Sequence, residues 1–191
     1  MNKINPAHIG FDIDGVVADT GSAFIQIASR EYGLSSLSLN DITDFAVEDT
    51  LDVDREIIAA IFTRLHDEPL SSGIKPMQDA IPVLHRLAEQ APLTFVTARP
   101  ERAPIDKWLK YYLEPQAYDK MRLVAMGVHD NKIPYIKELG LRYFVDDRLQ
   151  TCRKLAEEGI TPLVFNQPWN MNGHTLQKVE SWQDIHALCF N

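Results

Sequence analysis

His8-Ile9-Gly10-Phe11-Asp12-Ile13-Asp14-Gly15 is an apolar run that ends in two carboxylates and a glycine. Ile9, Phe11 and Ile13 are strand formers and Gly15 signals a turn, so the run reads as a buried strand stopping at that glycine. Four later runs share its character: LTFVTA (Leu93 to Ala98), RLVAM (Arg122 to Met126), RYFVDD (Arg142 to Asp147) and PLVFN (Pro162 to Asn166). They are rich in Val, Ile, Phe and Leu with little alternation, as parallel strands buried on both faces should be. Helical patterns lie between them. Ile81, Leu84 and Ala88 share a face, as do Ile105, Trp108, Leu109 and Tyr112, and again Leu149, Cys152 and Leu155. Pro82, Pro104 and Pro134 sit near plausible helix starts, where proline is tolerated. The alternation predicts an α/β fold, a Rossmann-like parallel sheet with helices on both faces.

One segment breaks the rhythm. From Gly33 to Pro76 no strand-like run occurs, although the sheet needs its second strand by then. Asn40 to Thr50 and Asp54 to Asp67 read as two helices, the second carrying Ile57, Ile58, Ile61, Phe62 and Leu65. The expected organisation is an α/β core of residues 1–32 and 74–191, with residues 33–73 as a small helical insertion above the sheet ends.

Composition narrows the function. The chain has 191 residues, 45% hydrophobic and 24% charged, enough to bury a core without staples. Its formal net charge of −8 argues against a nucleic-acid polymer or an anionic membrane as partner. Cys152 and Cys189 make neither a zinc spacing nor a disulfide framework. The opening MNKINPAHIG has no apolar core of a signal peptide, and no apolar run reaches membrane length. A cytoplasmic protein is expected.

The polar exceptions to the apolar pattern gather at strand ends. The first strand ends in Asp12 and Asp14, the second in Thr97, and the fourth in Asp146 and Asp147, while Lys132 opens the helix after the third. Open parallel sheets bind ligands outside their carboxyl ends, so these residues should meet. Four carboxylates in one crevice cannot all stay ionised without a cation, and an all-oxygen donor set suits Mg²⁺. Asp147 could instead cap the helix starting near Leu149. The Thr97 hydroxyl, the backbone N–H groups of Thr97-Ala98-Arg99 and the Lys132 ammonium make a phosphate cradle.

FDIDGVVADT, FVTAR, Lys132 and FVDD, in that order, resemble the four motifs of the haloacid dehalogenase (HAD) superfamily of phosphatases. The insertion after the first helix is similar in position to that superfamily's helical cap. Gly73-Ile74-Lys75-Pro76, HDNK around the lysine, FNQPWN and SWQDI make the chain most similar to the 5′(3′)-deoxyribonucleotidase group. The resemblance implies Asp12 as a nucleophile forming an aspartyl-phosphate and Asp14 as general acid and base. It implies Mg²⁺ held by Asp12, the Asp14 carbonyl and Asp147, with Asp146 as a supporting or alternative ligand. Thr97, Ala98 and Lys132 would bind phosphate. Phe45 and Arg99 are the first candidates to touch the rest of the substrate, with Asp44, Phe62, Arg64, His66, Trp169 and Asn170 behind them. The expected partner is a small phosphorylated metabolite such as a nucleoside monophosphate. The alternatives are a phosphatase of sugar phosphates, or a phospho-accepting signalling domain, which would place its acceptor aspartate mid-chain instead.

Overall fold

The computed structural model describes residues 3–127, 132–171 and 173–191. Its six parallel strands stand in the order β3-β2-β1-β4-β5-β6. In chain order the elements are β1 (Ile9–Phe11), α1 (Thr20–Tyr32), α2 (Arg55–Asp67), α3 (Ala80–Ala88), β2 (Thr94–Thr97), α4 (Arg102–Tyr112), α5 (Pro115–Tyr118) and β3 (Arg122–Ala125). They continue with α6 (Ile133–Glu138), β4 (Tyr143–Asp146), α7 (Leu149–Glu157), β5 (Thr161–Phe165), β6 (Lys178–Val179) and α8 (Trp182–Phe190). The three anticipated prolines all fall within the first turns of α3, α4 and α6.

Adjacent residues on the central strands serve opposite cores, because side chains alternate across a sheet. Phe95 and Val145 pack with α1, α3, α4 and α8 on one face. Their neighbours Val96 and Phe144 pack with Ile136 of α6 and Leu155 of α7 on the other. Helices therefore cover both faces, as the unalternating apolar runs required. Phe11 carries this packing to the centre, its ring centroid 5.2 Å from that of the fully buried Trp182.

Two expectations need correcting. Asn40 to Thr50 is no helix: it forms short 3₁₀ turns at Leu39–Asp41 and Val47–Asp49. Its short polar side chains take the backbone donors a helix would use. Asp41 accepts from the Ser38 N–H at 2.8 Å, and Asp44 from the Ala46 N–H at 3.1 Å. The sheet also has a sixth strand, β6, whose two residues are too few to show periodicity. By contrast α2 forms as read, with the Asp54 carboxylate accepting from the Glu56 N–H at 2.8 Å. It buries Ile58, Ile61 and Leu65. Among the described residues, no helix is long and apolar enough to cross a membrane.

Candidate active site

β1 lies between β2 and β4, so the chain reverses direction across the sheet at this strand. That arrangement opens a crevice at the carboxyl end of β1. Register fills it. Phe11 pairs with Val145, and the Asp12 N–H donates to the Val145 carbonyl at 2.9 Å. Asp12 thus comes level with the end of β4, where Asp146 and Asp147 follow. Donor oxygens of Asp12, Asp146 and Asp147 lie within 4.8 Å of one another, and all three residues are buried.

Lys132 enters this cluster from the start of α6. Its Nζ stands 2.7 Å from Asp12 Oδ2 and 2.7 Å from Asp146 Oδ2. One cation against three buried carboxylates leaves an excess of negative charge. Burial pushes the Asp12 carboxyl up, Lys132 pulls it back only in part, and Asp146 adds to the rise, leaving it at about 7. Burial, then Asp146 and Asp12, push Asp147 well above the usual carboxylate range. Burial works against the Lys132 ammonium, but Asp12 and Asp146 outweigh it and hold the proton more firmly than in water. Three hard oxygen donors carrying surplus charge suit a divalent cation.

Asp14 lies apart from that cluster. Its Oδ2 accepts from Arg99 Nε at 2.9 Å, and its Oδ1 from Arg99 Nη2 at 2.7 Å and from Thr20 Oγ1 at 2.5 Å. Burial opposes ionisation here too, yet the Arg99 guanidinium more than offsets it and holds the carboxyl near 2. Arg99 itself is 1% exposed. Its Nη1 donates to the carbonyls of Leu65 at 3.0 Å and His66 at 3.3 Å, in the last turn of α2. Those helix-end carbonyls need donors from outside the helix and favour a cation nearby. One side chain therefore joins β2, the turn after β1 and the segment above them.

The turn at Gly15 is obligatory for glycine. It has φ +71°, and a Cβ there would come within 2.2 Å of Asp147 Oδ2. Asp147 is no helix cap. Its Oδ2 accepts from the Trp169 indole N–H at 3.1 Å, while Asp146 Oδ1 accepts from the Arg148 N–H at 2.8 Å beside the start of α7.

These groups floor a cavity of about 470 Å³. Asp12, Asp14, Thr97, Ala98, Arg99 and Asp147 line one side of it. Phe24, Ile42, Phe45, Val47, Phe62, His66 and Trp169 give the remainder a largely apolar wall. Thr97 is fully buried, and its Oγ1 accepts from the Arg99 N–H at 3.3 Å. Phe45 is 39% exposed, with the Arg148 guanidinium 4.8 Å from its ring centroid. Phe62 packs on Phe24 at 5.1 Å between centroids. Arg64 instead pairs with Glu31 of α1, and Asn170 spends its amide on the carbonyls of Asp147 and Phe165. His129, Asp130 and Asn131 of the HDNK stretch lie outside the described residues.

Sequence reasoning passed over Thr20 and Gln167. Thr20 stands in the quoted stretch FDIDGVVADT, but nothing along the chain says that its hydroxyl turns back to Asp14. Gln167 donates from Nε2 to the Gly15 carbonyl at 2.7 Å, a contact across 152 residues that no local pattern announces.

Likeness to known proteins bears on the family and the fold. The family model described as "5' nucleotidase, deoxy (Pyrimidine), cytosolic type C protein" matches residues 5–190. A protein of Bacillus subtilis strain 168, named "Putative nucleotidase YqfW", is 28% identical over 167 residues, covering 85% of this chain and 81% of its own. A haloacid dehalogenase-like hydrolase from Streptococcus pneumoniae superposes with TM-score 0.65 at 14% identity, over 94% of this chain and 96% of that one. A HAD family hydrolase from Deinococcus radiodurans R1, with bound phosphate and sodium, gives TM-score 0.64 at 15% identity over 96% and 95% of the two chains. At these identities the solved structures speak for the fold.

Proposed function

The chain belongs to the 5′ nucleotidase, deoxy (pyrimidine), cytosolic type C family, phosphoric-monoester hydrolases of the HAD superfamily, and from that premise we propose that it is a magnesium-dependent nucleotidase of the 5′(3′)-deoxyribonucleotidase kind. The observation that carries the reading is a cluster of three carboxylates and one lysine, of which Asp12 and Asp147 face a cavity with an aromatic wall and Asp146 and Lys132 are buried behind them. The floor suits a phosphate. The wall suits the flat face of a base. Residues 33–73 act as a cap that shields the reaction from water.

Asp12 is the nucleophile. Its carboxylate attacks phosphorus, the ester P–O bond breaks, and the leaving oxygen takes a proton from Asp14. Asp14 then accepts a proton from the water that cleaves the aspartyl-phosphate, which returns Asp12 and releases phosphate. Asp14 is ionised while Arg99 grips it, so donating a proton first requires that grip to loosen. Lys132, the Thr97 hydroxyl and the Ala98 backbone N–H offset charge on the transferring phosphoryl oxygens. Asp12, Asp147 and the Asp14 carbonyl would hold magnesium, with Asp146 supporting, and the ion would neutralise phosphate charge when bound.

The test is a phosphate-release screen over nucleoside monophosphates and sugar phosphates, with magnesium or with excess chelator. Nucleoside monophosphates should lead, and chelation should abolish release. A preference for sugar phosphates would remove the nucleotide assignment. Full activity in chelator would remove the metal.

A further inference from the structure

Gln167, Trp169 and Asn170 follow β5 and lie far in sequence from both aspartate motifs, yet all three reach them. Gln167 donates to the Gly15 carbonyl at 2.7 Å. Asn170 Nδ2 donates to the Asp147 carbonyl at 2.6 Å and to the Phe165 carbonyl at 2.8 Å. Trp169 donates its indole N–H to Asp147 Oδ2 at 3.1 Å. Gln167 and Asn170 are almost fully buried, and a 3₁₀ turn at Pro168–Asn170 joins them. The turn therefore clasps the loop after β1 and the loop after β4 together.

Trp169 packs beside two glycines, and Gly15, by lacking a Cβ, leaves it room. A Cβ on Gly15 would approach its Cζ2 to 3.3 Å, and one on Gly21 would approach its Cη2 to 3.5 Å. The ring also walls the cavity. A purely apolar wall would need no N–H. This one is directed at a buried carboxylate that sits in an excess of negative charge. Such a hydrogen bond takes up one carboxylate lone pair and restrains rotation about the Cβ–Cγ bond, leaving the rest of the carboxylate for a cation.

We infer that Trp169 is a positioning residue for the metal site: its indole N–H fixes the Asp147 carboxylate for a divalent cation while its ring forms the adjoining substrate wall. The inference rests on the proposed magnesium site. Partners that orient metal ligands are typically worth 10–100-fold in metal affinity. Trp169→Phe keeps an aromatic wall and removes only the donor. It should weaken magnesium binding by roughly tenfold or more in calorimetric titration without substrate. Trp108 and Trp182 are fully buried and donate to the Ile74 and Val16 carbonyls. Trp169 should thus dominate any tryptophan emission change on adding magnesium to the wild-type protein, and the change should vanish in Trp169→Phe.

Magnesium affinity within twofold of wild type in Trp169→Phe overturns the inference and leaves the proposed function standing. Calorimetric binding to the wild type with no emission change also overturns it. Failure of the wild-type protein to bind magnesium at all overturns the metal reading, and the inference with it.

Discussion

The two sides of the cavity are built from different materials. The floor is charge: Asp12 and Asp147 face the cavity with Asp146 buried behind them, all three within 4.8 Å at strand ends locked by parallel register, and Lys132 reaches Asp12 and Asp146 at 2.7 Å from the start of α6. The roof is apolar packing: Ile58, Ile61 and Leu65 of α2 bury against the body, and 3₁₀ turns carry Phe45 to the rim. Charge held in low dielectric tolerates little displacement, because each group answers to the others at short range. Apolar contact is non-directional and tolerates repacking. The floor should therefore decide whether reaction occurs, and the roof which substrate reacts. Each substitution below is a way to break that division or sharpen it.

Asp12→Asn should have the largest effect. The amide cannot form an acyl-phosphate, so turnover should fall by roughly 10⁴-fold or more, with no phosphate trapped on the protein after acid quench. Phosphate trapped on another residue would move the nucleophile elsewhere. Asp14→Asn should cost less, roughly 10²–10⁴-fold on a nucleoside monophosphate. It keeps the nucleophile, so p-nitrophenyl phosphate, whose leaving group needs little protonation, should give a burst of about one p-nitrophenol per site and then slow turnover. Equal damage from both substitutions on both substrates would reduce the pair to a structural role.

Arg99→Met tests the joint between floor and roof. It takes the guanidinium from the Leu65 and His66 carbonyls and leaves the Asp14 carboxylate with Thr20 as its side-chain donor. The pKa shift of Asp14 from 3.8 to about 2 corresponds to about 2 kcal/mol of stability. Folded Asp14 binds its proton less readily than the unfolded chain does. The contribution is therefore fully present above about pH 5 and is lost as pH falls towards 2. Burial of Asp14 would then be opposed mainly by Thr20, so urea unfolding should show the variant weaker by about 2 kcal/mol or more at pH 7, with the gap narrowing by about 1 kcal/mol or more at pH 3. A gap that stays constant across that range would mean that Arg99 contributes through packing alone.

The same division explains what the chain disclosed in advance. Asp12, Asp14, Thr97, Lys132, Asp146 and Asp147 were legible because each interrupts or follows an apolar strand where nothing hydrophobic wants it, and parallel topology gathers strand ends. The five longer strands and the α2 pattern were legible from periodicity. The turns at 39–41 and 47–49 were not, because their conformation is decided by single side-chain hydrogen bonds of Asp41 and Asp44. Arg99 illustrates the limit best. It was a candidate to touch the substrate and it does line the cavity, but its bonds to Asp14 and to two carbonyls of α2 are contacts that only folding brings within reach.

The smallest effect, and the sharpest on specificity, belongs to Phe45. Its ring is 39% exposed and lines the cavity, so removing it leaves no buried hole, and unfolding temperature should hardly move. Phe62 differs: it is partly buried, and its ring packs 5.1 Å from Phe24, so Phe62→Ala should cost roughly 1–3 kcal/mol of stability and lower the unfolding temperature by several degrees. If the roof selects the leaving group by stacking on a base, Phe45→Ala should lose about 1 kcal/mol of that contact, the low end for base–aromatic stacking. The KM for a nucleoside monophosphate would rise roughly fivefold, while p-nitrophenyl phosphate and a sugar phosphate stay within twofold. The Phe45→Ala and Phe62→Ala profiles then separate choosing from packing within one wall. Parallel losses across all substrates in Phe45→Ala, with an unchanged unfolding temperature, would show that this ring shapes the site for phosphate generally. Specificity would then have to be sought along the wall formed by His66 and Trp169.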